Sequence, residues 1–335
     1  MTGQVTIAPD AALDLATRAL AANRTSPANA ASTARALVAA EIDGQSGHGL
    51  TRVPSYSQQA RVGKVDGFAT PKVFGGGAAS RRVDAGTGFA YPAMDAAIDA
   101  LTPLARTAGI ASAGVFASHH FGQAGRHVER LADLGFVAFA FSNTPRAMAF
   151  HGAGAHQRMG TNPLAFAAPI PGRAPLVIDM ALSVVARGRI ITAREKGAAI
   201  PDDWAVDAEG RPTTDPAAAL AGALLPLGGA KGSALALMVE VLCGALAGAH
   251  FGWEATPFLD AEGGPPRLGQ LLIALDPDHF AGASFGPRMA DLADAVAEDG
   301  ARLPGDRRLE LRQRAADQGL TISGDLHRQI VALAD

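Results

Sequence analysis

The segment LPLGGAKGSALAL, residues 225–237, places a lysine among glycines directly before an apolar run. A P-loop requires the order Gly-Lys-Ser/Thr, whereas the order here is Gly-Ala-Lys-Gly-Ser, so this segment is not a P-loop. It can still cradle a phosphate, because free N–H groups at a helix start and the Lys231 ammonium both favour an anion. A plain glycine-rich turn is an equally good interpretation.

The other glycine clusters lack a dinucleotide-binding signature as well. A Rossmann unit needs G-x-G-x-x-G between a strand and a helix, so that the backbone can approach the pyrophosphate. Gly75-Gly76-Gly77 is followed by Ala-Ala-Ser-Arg, and Gly86-Thr87-Gly88 is followed by Phe-Ala-Tyr. The sequence therefore predicts that any nucleotide site is built without a Rossmann fold.

The apolar pattern predicts helices at both ends of the chain and strands between them. Pro9-Asp10 starts one helix, and Ser26-Pro27 supplies an N-cap and a first-turn proline for a second that stops at Gly44. From Gly286 onward the pattern is helical again. Strand-length apolar runs with turn residues at their ends lie at 110–116, 136–141, 164–168, 176–178 and 271–275.

This order of elements predicts an α/β fold with two domains. A discontinuous helical domain takes residues 1–65 and 286–335, and an α/β domain takes residues 66–285. The most apolar stretch, Ser233–Ala249, is interrupted by Glu240 and is shorter than a membrane span, so we interpret it as a buried helix.

The bulk composition excludes several classes of function. The chain has 335 residues, 48% of them hydrophobic, and a formal net charge of only -3, so general binding to nucleic acid or to an anionic membrane is not expected. A single cysteine, Cys243, permits no intrachain disulfide and fits a reducing compartment. The first ten residues show no signal-peptide pattern, and we expect a cytoplasmic protein.

His48 is the best candidate for chemistry. Gly47 and Gly49 flank it, which leaves the imidazole uncrowded, and Arg52 follows four residues later, on the same face if the segment is helical. A histidine near neutral pKa is a suitable proton donor to the alkoxide that hydride transfer creates, and arginine is a suitable planar partner for a substrate carboxylate. The alternative is a structural or surface histidine.

The remaining candidates have ordinary structural alternatives. His119-His120 ends an apolar run without metal-ligand spacing, so we expect no metal site. Asp179 and Arg187-Gly188 follow the apolar run at 176–178 and are candidates to line a cleft. The alternative is that Asp179 caps a turn and Arg187 faces solvent. The tripeptide Thr161-Asn162-Pro163 is typical of a turn, and a binding loop is the second interpretation. Glu240 is expected to pair within the core.

Eight segments in order resemble the malate/L-lactate dehydrogenase family of non-Rossmann type, which also contains Δ1-piperideine-2-carboxylate/Δ1-pyrroline-2-carboxylate reductases, ureidoglycolate dehydrogenase and diketogulonate reductase. The resemblance covers about Ile7 to Arg308. The segments are DGQSGHGLTRVPSY, SHHFGQAGRHVERLADLG, MGTNPLAFAAP, VIDMALSVVARGRI, PTTDPAAAL, LLPLGGAKGSALALMVEVL, GQLLIALDP and LPGDRR.

The resemblance implies a homodimer that binds NAD(H) or NADP(H) on an unusual, largely antiparallel sheet. It implies His48 as the proton donor. The implied substrate contacts are Arg52, Thr161, Arg187 and Gly188. The implied cofactor contacts are His120, Phe121, Gly122, Gln123, Ala124, Asp179, Met180, Ala181, Ala230, Lys231, Gly305, Asp306, Arg307 and Arg308, with Lys231 and Arg307 or Arg308 as natural phosphate partners.

Two positions bear on the substrate. The cyclic imino-acid reductases that this chain resembles have a serine just before the histidine and an acidic residue just after the Arg/His-Gly pair, whereas this chain has Gly47 and Arg189. We therefore expect an NAD(P)H-dependent oxidoreductase that interconverts a small 2-oxo acid and its 2-hydroxy acid. Reduction of cyclic 2-imino acids is the alternative, and a non-catalytic cofactor-binding homologue is a minor one.

Overall fold

The computed structural model describes residues 3–335, in which helices enclose a central seven-stranded sheet. The strands are β1 (Gln4–Ile7), β2 (Lys72–Gly77), β3 (Ser80–Asp84), β4 (Ile110–Ser118), β5 (Val137–Ser142), β6 (Met148–Ala149), β7 (Gln157–Met159), β8 (Leu164–Ala168), β9 (Leu176–Met180), β10 (Ala205–Val206), β11 (Ala223–Leu224), β12 (Leu268–Leu275) and β13 (Leu320–Ser323). The helices are α1 (Pro9–Ala21), α2 (Pro27–Ile42), α3 (Arg52–Val62), α4 (Ala90–Ala108), α5 (Ala124–Asp133), α6 (Arg187–Glu195), α7 (Pro216–Ala221), α8 (Ala230–Glu240), α9 (Phe285–Glu298), α10 (Asp306–Gln318) and α11 (Gly324–Ala334).

The central sheet is largely antiparallel, as the sequence predicted. Its strands follow the order β2-β3-β4-β12-β5-β8-β9, and β3–β4 is its one parallel pair within the described chain. Strand β12 lies at the centre, where Leu271 is opposite Gly114 on one side and Phe141 on the other. An all-parallel Rossmann sheet is therefore absent from residues 3–335.

Helices α4 and α5 cover one face of this sheet. Strand β4 alternates, and its inward side chains Ala111, Ala113 and Val115 are buried beneath the helices. Alanine is frequent on both sides of this interface, so helix and sheet approach closely and most of these methyl groups are buried. This core fixes the loop between β4 and α5, which carries His119 and His120.

The two ends of the chain meet in a second core. Strand β1 pairs antiparallel with β13, and helices α1, α2, α3 and α11 pack around Leu20, Leu37 and Ile330. The terminal helices therefore share one core, while the domain boundaries at residues 65 and 286 remain a prediction.

Several local predictions are confirmed. Ser26 caps α2 by accepting a hydrogen bond from the Asn29 N–H, with Pro27 at the first helical position. Strand β8 has the predicted bounds. None of the helices within residues 3–335 has the length and apolar content that a membrane crossing requires.

The interpretation of Ser233–Ala249 as a buried helix is wrong for one of its faces. The segment is helical, with α8 continuing into one π-helical stretch at Val241–Leu246. Cys243 and Val239 are buried, but large apolar side chains on the other face are open to solvent. These are Leu235, Leu237, Met238, Val241 and Leu246, with exposed fractions of 41%, 47%, 39%, 52% and 69%.

A buried ion network ties the terminal helices to the sheet. The Arg312 guanidinium of α10 contacts Asp43, just past the end of α2, at 2.7 Å and Glu129 of α5 at 2.7 Å. Burial alone would raise the pKa of Glu129, but hydrogen bonds and charge from Arg312 outweigh it and lower that pKa. Asp43 also accepts a hydrogen bond from Gln123 in the β4–α5 loop at 2.8 Å.

We predict that Arg312→Met destabilises the fold by about 3–5 kcal/mol, because the substitution leaves the buried Asp43 carboxylate without its cationic partner, whereas Glu129 keeps Arg126 and Arg308. Urea unfolding at neutral pH, followed by circular dichroism, measures the effect. Arg314→Met on the exposed face of the same helix is the matched control. Equal stability of the two variants would show that the network does not hold the terminal helices.

Candidate active site

His48 lies in a short 3₁₀ turn, Ser46–His48, between α2 and α3. The Glu41 carboxylate holds this turn by accepting hydrogen bonds from Ser46 Oγ at 2.6 Å and from the Leu50 N–H at 2.8 Å. A Cβ atom at Gly49 would collide with that same carboxylate. The glycine is therefore required for the turn to seat His48.

The His48 ring stacks on the His120 ring, with 5.1 Å between centroids and 25° between planes. Its Nδ1 is buried without a hydrogen-bond partner, whereas Nε2 is not enclosed in this way. Burial, and secondly the positive charge of Arg52, lower the pKa of His48 to about 4. The imidazole of the ligand-free protein is therefore neutral at pH 7.

Arg52 is the first residue of α3 and stands beside the two stacked rings. Its Nε donates to the Gly47 carbonyl at 2.7 Å, which fixes the plane of the guanidinium. Its terminal Nη1 and Nη2 have no hydrogen-bond partner within residues 3–335. Arg52 therefore lies close enough to His48 for its charge to act on the ring. Its two terminal nitrogens remain available as parallel donors to a carboxylate.

The surroundings of His120 are apolar and tightly packed. Phe258 lies 4.8 Å from the His120 ring centroid, and Tyr56 Oη lies 2.6 Å from His120 Nδ1. The loop that carries Phe258 is anchored by Gln59 Nε2 and by the fully buried Lys64 ammonium. Burial, followed by the charge of Arg52, places the pKa of His120 well below its usual value.

His119 is more deeply enclosed than its neighbour. It is 1% exposed, packs against Tyr56, Phe89 and Phe258, and neither ring nitrogen has a hydrogen-bond partner. Burial, and secondly the charge of Lys64, lower its pKa to about 3. The three histidines therefore form an uncharged cluster, and only His48 and His120 face each other as a stacked pair.

The β4–α5 loop joins this cluster to a helix N-terminus. Gly122 has φ of +72°, and a Cβ there would meet Tyr91 Oη at 2.6 Å, so only glycine fits. Gln123 precedes α5, which begins at Ala124 without a side-chain cap. Asp179 of β9 instead accepts from the Gly125 N–H at 2.8 Å, and burial raises the pKa of Asp179.

A second helix N-terminus lies at the start of α8. Gly228 and Gly229 have φ of +64° and +63°, and the helix begins at Ala230 with no side-chain cap. The Lys231 side chain is exposed. Free N–H groups and an unpaired ammonium fit a phosphate group, so this segment suits the pyrophosphate of a nicotinamide cofactor.

The two arginines at the start of α10 have different surroundings. Gly305 precedes the helix with φ of +100°, and Asp306 accepts from the Leu303 N–H at 3.1 Å. Arg308 lies 3.8 Å from the buried Glu129 carboxylate, whereas Arg307 is exposed. Of the two phosphate partners considered from the sequence, Arg307 is the one whose charge is free.

Thr161 lies in a loop that is fastened on both sides. Its N–H donates to Thr144 Oγ1 at 2.9 Å, and its carbonyl accepts from the Leu182 N–H at 2.8 Å, directly after Ala181. Asn162 has φ of +42° and donates to Glu240 Oε1 at 2.9 Å. Burial raises the pKa of Glu240.

Glu240 is a residue to which sequence reasoning assigned no role in the site. Its carboxylate also accepts from Asn143 Nδ2 at 3.2 Å and from the Gly252 N–H at 3.1 Å, so it joins α8 to the Thr161 loop. The signal available in the sequence was that Glu240 is the one acidic residue in the otherwise apolar run 233–249.

Arg187 and Gly188 lie at the start of α6. Arg187 is the first residue of α6, is half-buried and forms no ion pair within residues 3–335. Gly188 is exposed, and Met180 of β9 is 37% exposed. No group of three or more His, Cys, Asp or Glu side chains in the described chain could hold a metal ion.

Comparisons with known proteins identify the family. The profile of the malate/L-lactate dehydrogenase family matches residues 7–331. The chain belongs to this family. A relative in Chromohalobacter salexigens, (2R)-3-sulfolactate dehydrogenase (NADP(+)), is 49% identical over 285 residues, 85% of each chain. A Δ1-pyrroline-2-carboxylate/Δ1-piperideine-2-carboxylate reductase of Pseudomonas putida is 43% identical over 290 residues, 85% of this chain and 84% of that one.

A solved structure shows the same fold. Δ1-piperideine-2-carboxylate reductase from Pseudomonas syringae pvar. tomato matches with a TM-score of 0.93 and 40% identity, over 98% of this chain and 99% of that chain. The predicted α/β fold with a non-Rossmann sheet is confirmed. The predicted class is confirmed too: this protein is an oxidoreductase that uses NAD(H) or NADP(H).

Proposed function

We propose that this dehydrogenase interconverts a small 2-oxo acid and its 2-hydroxy acid with NADP(H), and that His48 is the proton donor. The observation that carries the proposal is the His48–Arg52 pair, in which an imidazole with an open Nε2 stands beside two unpaired guanidinium donors. NADPH, when bound, supplies the hydride that reaches C2 of the substrate.

Each side chain of the pair has a distinct task. Arg52 holds the substrate carboxylate through Nη1 and Nη2, which places C2 and its oxygen near His48. His48 Nε2 then gives a proton to that oxygen as it becomes negative. Thr161 and Arg187-Gly188 remain proposed substrate contacts.

The low pKa of His48 fits this chemistry in both directions. A neutral imidazole is ready to act as the base when a 2-hydroxy acid is oxidised. In reduction, the substrate carboxylate and the developing oxyanion bring negative charge beside the ring, which raises the His48 pKa and favours the protonated form. The proton is therefore acquired when an anionic substrate is present.

The proposed cofactor site includes two helix starts. The first turn of α8, with residues 230–231, has no side-chain cap and offers N–H donors to a phosphate group, whereas at the start of α5, beside residues 120–124, the Gly125 N–H is bonded to Asp179. Arg307 offers a free charge for a further phosphate, which only NADP(H) carries. The C. salexigens relative is itself named as an NADP(+) enzyme.

Two observations bear on the substrate. Gly47 and Arg189 stand where the imino-acid reductases that this chain resembles have a serine and an acid, and the 49% identical relative acts on a 2-hydroxy acid, as its name states. Reduction of cyclic 2-imino acids is the second candidate, because relatives at 43% and 42% identity are reductases of this kind.

The test is NADPH and NADH oxidation by the purified protein with 3-sulfopyruvate, pyruvate, oxaloacetate, Δ1-piperideine-2-carboxylate and Δ1-pyrroline-2-carboxylate. We expect the highest kcat/KM with an open-chain 2-oxo acid and NADPH. A higher kcat/KM with either cyclic imine would contradict the proposed substrate class and favour the second candidate.

Two substitutions separate binding from proton transfer. Arg52→Lys should raise KM about ten-fold or more, because a lost charge-assisted hydrogen bond costs about 1.5–3 kcal/mol. His48→Ala should mainly lower kcat. Steady-state kinetics on the best substrate measure both, with Arg61→Lys at the far end of α3 as the control. Unchanged kcat of His48→Ala across pH would remove His48 from the mechanism.

We also propose that the protein is a homodimer whose interface includes the exposed face of α8. Five large apolar side chains stand on this helical segment, and a cavity of about 590 Å³ beside it is lined by Leu237, Val241, Phe251 and Trp253. A second copy of the chain would remove this patch from water.

Leu237→Glu combined with Val241→Glu should convert a dimer into a monomer, because two charges would be buried in an apolar interface. Size-exclusion chromatography with light scattering measures the mass. Phe280→Glu, at an exposed apolar residue outside α8, should leave the dimer intact. A monomeric wild-type protein, or a dimeric double variant, would contradict the proposed interface.

The single cysteine, buried with a raised thiol pKa, supports our proposal that the protein works in the cytoplasm. Cell fractionation tests this, and recovery of the enzyme from an oxidising compartment would contradict it.

A further inference from the structure

Tyr56 is the last residue of the DGQSGHGLTRVPSY segment, and the proposed mechanism gives its hydroxyl no role. Tyr56 is fully buried on α3, one turn after Arg52, and its Oη lies 2.6 Å from His120 Nδ1. Tyr91 Oη lies 3.4 Å behind it. His120 Nε2 has no hydrogen-bond partner within residues 3–335, and it is not sealed off as the His119 nitrogens are.

The chemistry of this contact decides which atom carries the hydrogen. Burial raises the pKa of Tyr56, so the phenol keeps its proton, and burial keeps His120 neutral. A neutral imidazole has one N–H donor and one acceptor nitrogen. A phenol O–H is the better donor and an imidazole nitrogen the better acceptor, so the short contact runs from Tyr56 to Nδ1. Tyr91 can in turn donate to Tyr56 Oη.

We propose that Tyr56 is a positioning residue that fixes His120 as its neutral Nε2–H tautomer. His120 thereby presents one N–H donor at Nε2 to a bound ligand and an uncharged ring to the face of His48. The His120 tautomer is a property of the free protein. Its consequence for catalysis rests on the proposed role of His48.

The stacked geometry explains why an uncharged His120 ring matters. At 5.1 Å between ring centroids, a positive charge on His120 would oppose protonation of His48, whereas a neutral ring offers its π face to the imidazolium. The charged and titratable groups facing His120 are His48 in front, His119 beside it, and Arg52 and Tyr56 from α3; Phe258 closes the remaining side. No carboxylate among them would stabilise a charged His120.

The direct test is a long-range ¹H–¹⁵N correlation spectrum of the ¹⁵N-histidine-labelled, ligand-free protein, with His120 assigned by His120→Gln. We expect Nδ1 at the frequency of an unprotonated ring nitrogen and Nε2 at that of a protonated one. A proton on Nδ1, or a charged ring at neutral pH, would overturn the proposal. This measurement needs no active enzyme and no folded variant at position 56.

Tyr56→Phe removes only the hydroxyl, and Tyr91→Phe is its matched control. In Tyr56→Phe we expect the His120 signals to shift or broaden and kcat to fall about ten-fold, the change that one lost hydrogen bond produces. Tyr91→Phe should keep the His120 tautomer and lose less activity. Because the lost hydrogen bond stabilised unprotonated Nδ1, the decline of kcat on acidification should begin at higher pH in Tyr56→Phe.

The outcomes separate this inference from the proposed function. Unchanged His120 signals and an unchanged pH profile in Tyr56→Phe would overturn the inference, whatever the enzyme reduces. The expected tautomer together with no turnover of any oxo or imino acid would leave the inference standing and overturn the proposed function.

Discussion

Two buried carboxylates, Asp43 and Glu129, share the Arg312 guanidinium, and Glu129 also pairs with Arg126 and Arg308; this network joins the end of α2 to α5 and α10 beside the site. Asp43 lies just before the turn that carries His48, and it also binds Gln123, three residues after His120. The Arg312 guanidinium of α10 thus helps to hold the His48 turn and the β4–α5 loop at a fixed separation. The stack of His48 on His120 follows from that separation rather than from any local sequence pattern.

Burial then sets the protonation of the stacked rings. With no acidic partner nearby and with the charge of Arg52 beside them, the histidines are neutral in the free protein. The imino-acid reductases that the sequence resembles hold a serine and an acid at the positions of Gly47 and Arg189. Here a neutral stack and a free guanidinium occupy the site, so an anionic substrate has to supply the negative charge that favours imidazolium.

Local signals in the sequence were sufficient for several of the elements and for part of the site. Ser26-Pro27 has the chemistry of a helix start and forms one, and the run Leu164–Ala168 is a strand with those bounds. Glycines around His48 predicted an open imidazole, and the fold needs Gly49 because Glu41 occupies the space of its side chain.

Contacts between distant segments could not be predicted in this way. Pairing of β1 with β13 joins the first and last parts of the described chain, and a four-residue strand carries too little pattern to show its partner. Nothing in the local sequence indicates that Tyr56 contacts His120, because the two residues are brought together only by the fold. The α8 segment has the composition of a buried helix, yet one face is exposed, and the proposed cover is a second copy of the chain.

The mechanism requires His48 to be neutral in the free enzyme and to become protonated when an anionic substrate binds beside Arg52. NMR titration of ¹⁵N-histidine-labelled protein, with His48 assigned by His48→Gln, measures its pKa alone and with NADP(+) and oxamate, an unreactive 2-oxo acid analogue. We predict a pKa of about 4 in the free protein and a clear increase in the complex. A His48 pKa near 6.5 that does not respond to oxamate would contradict the account.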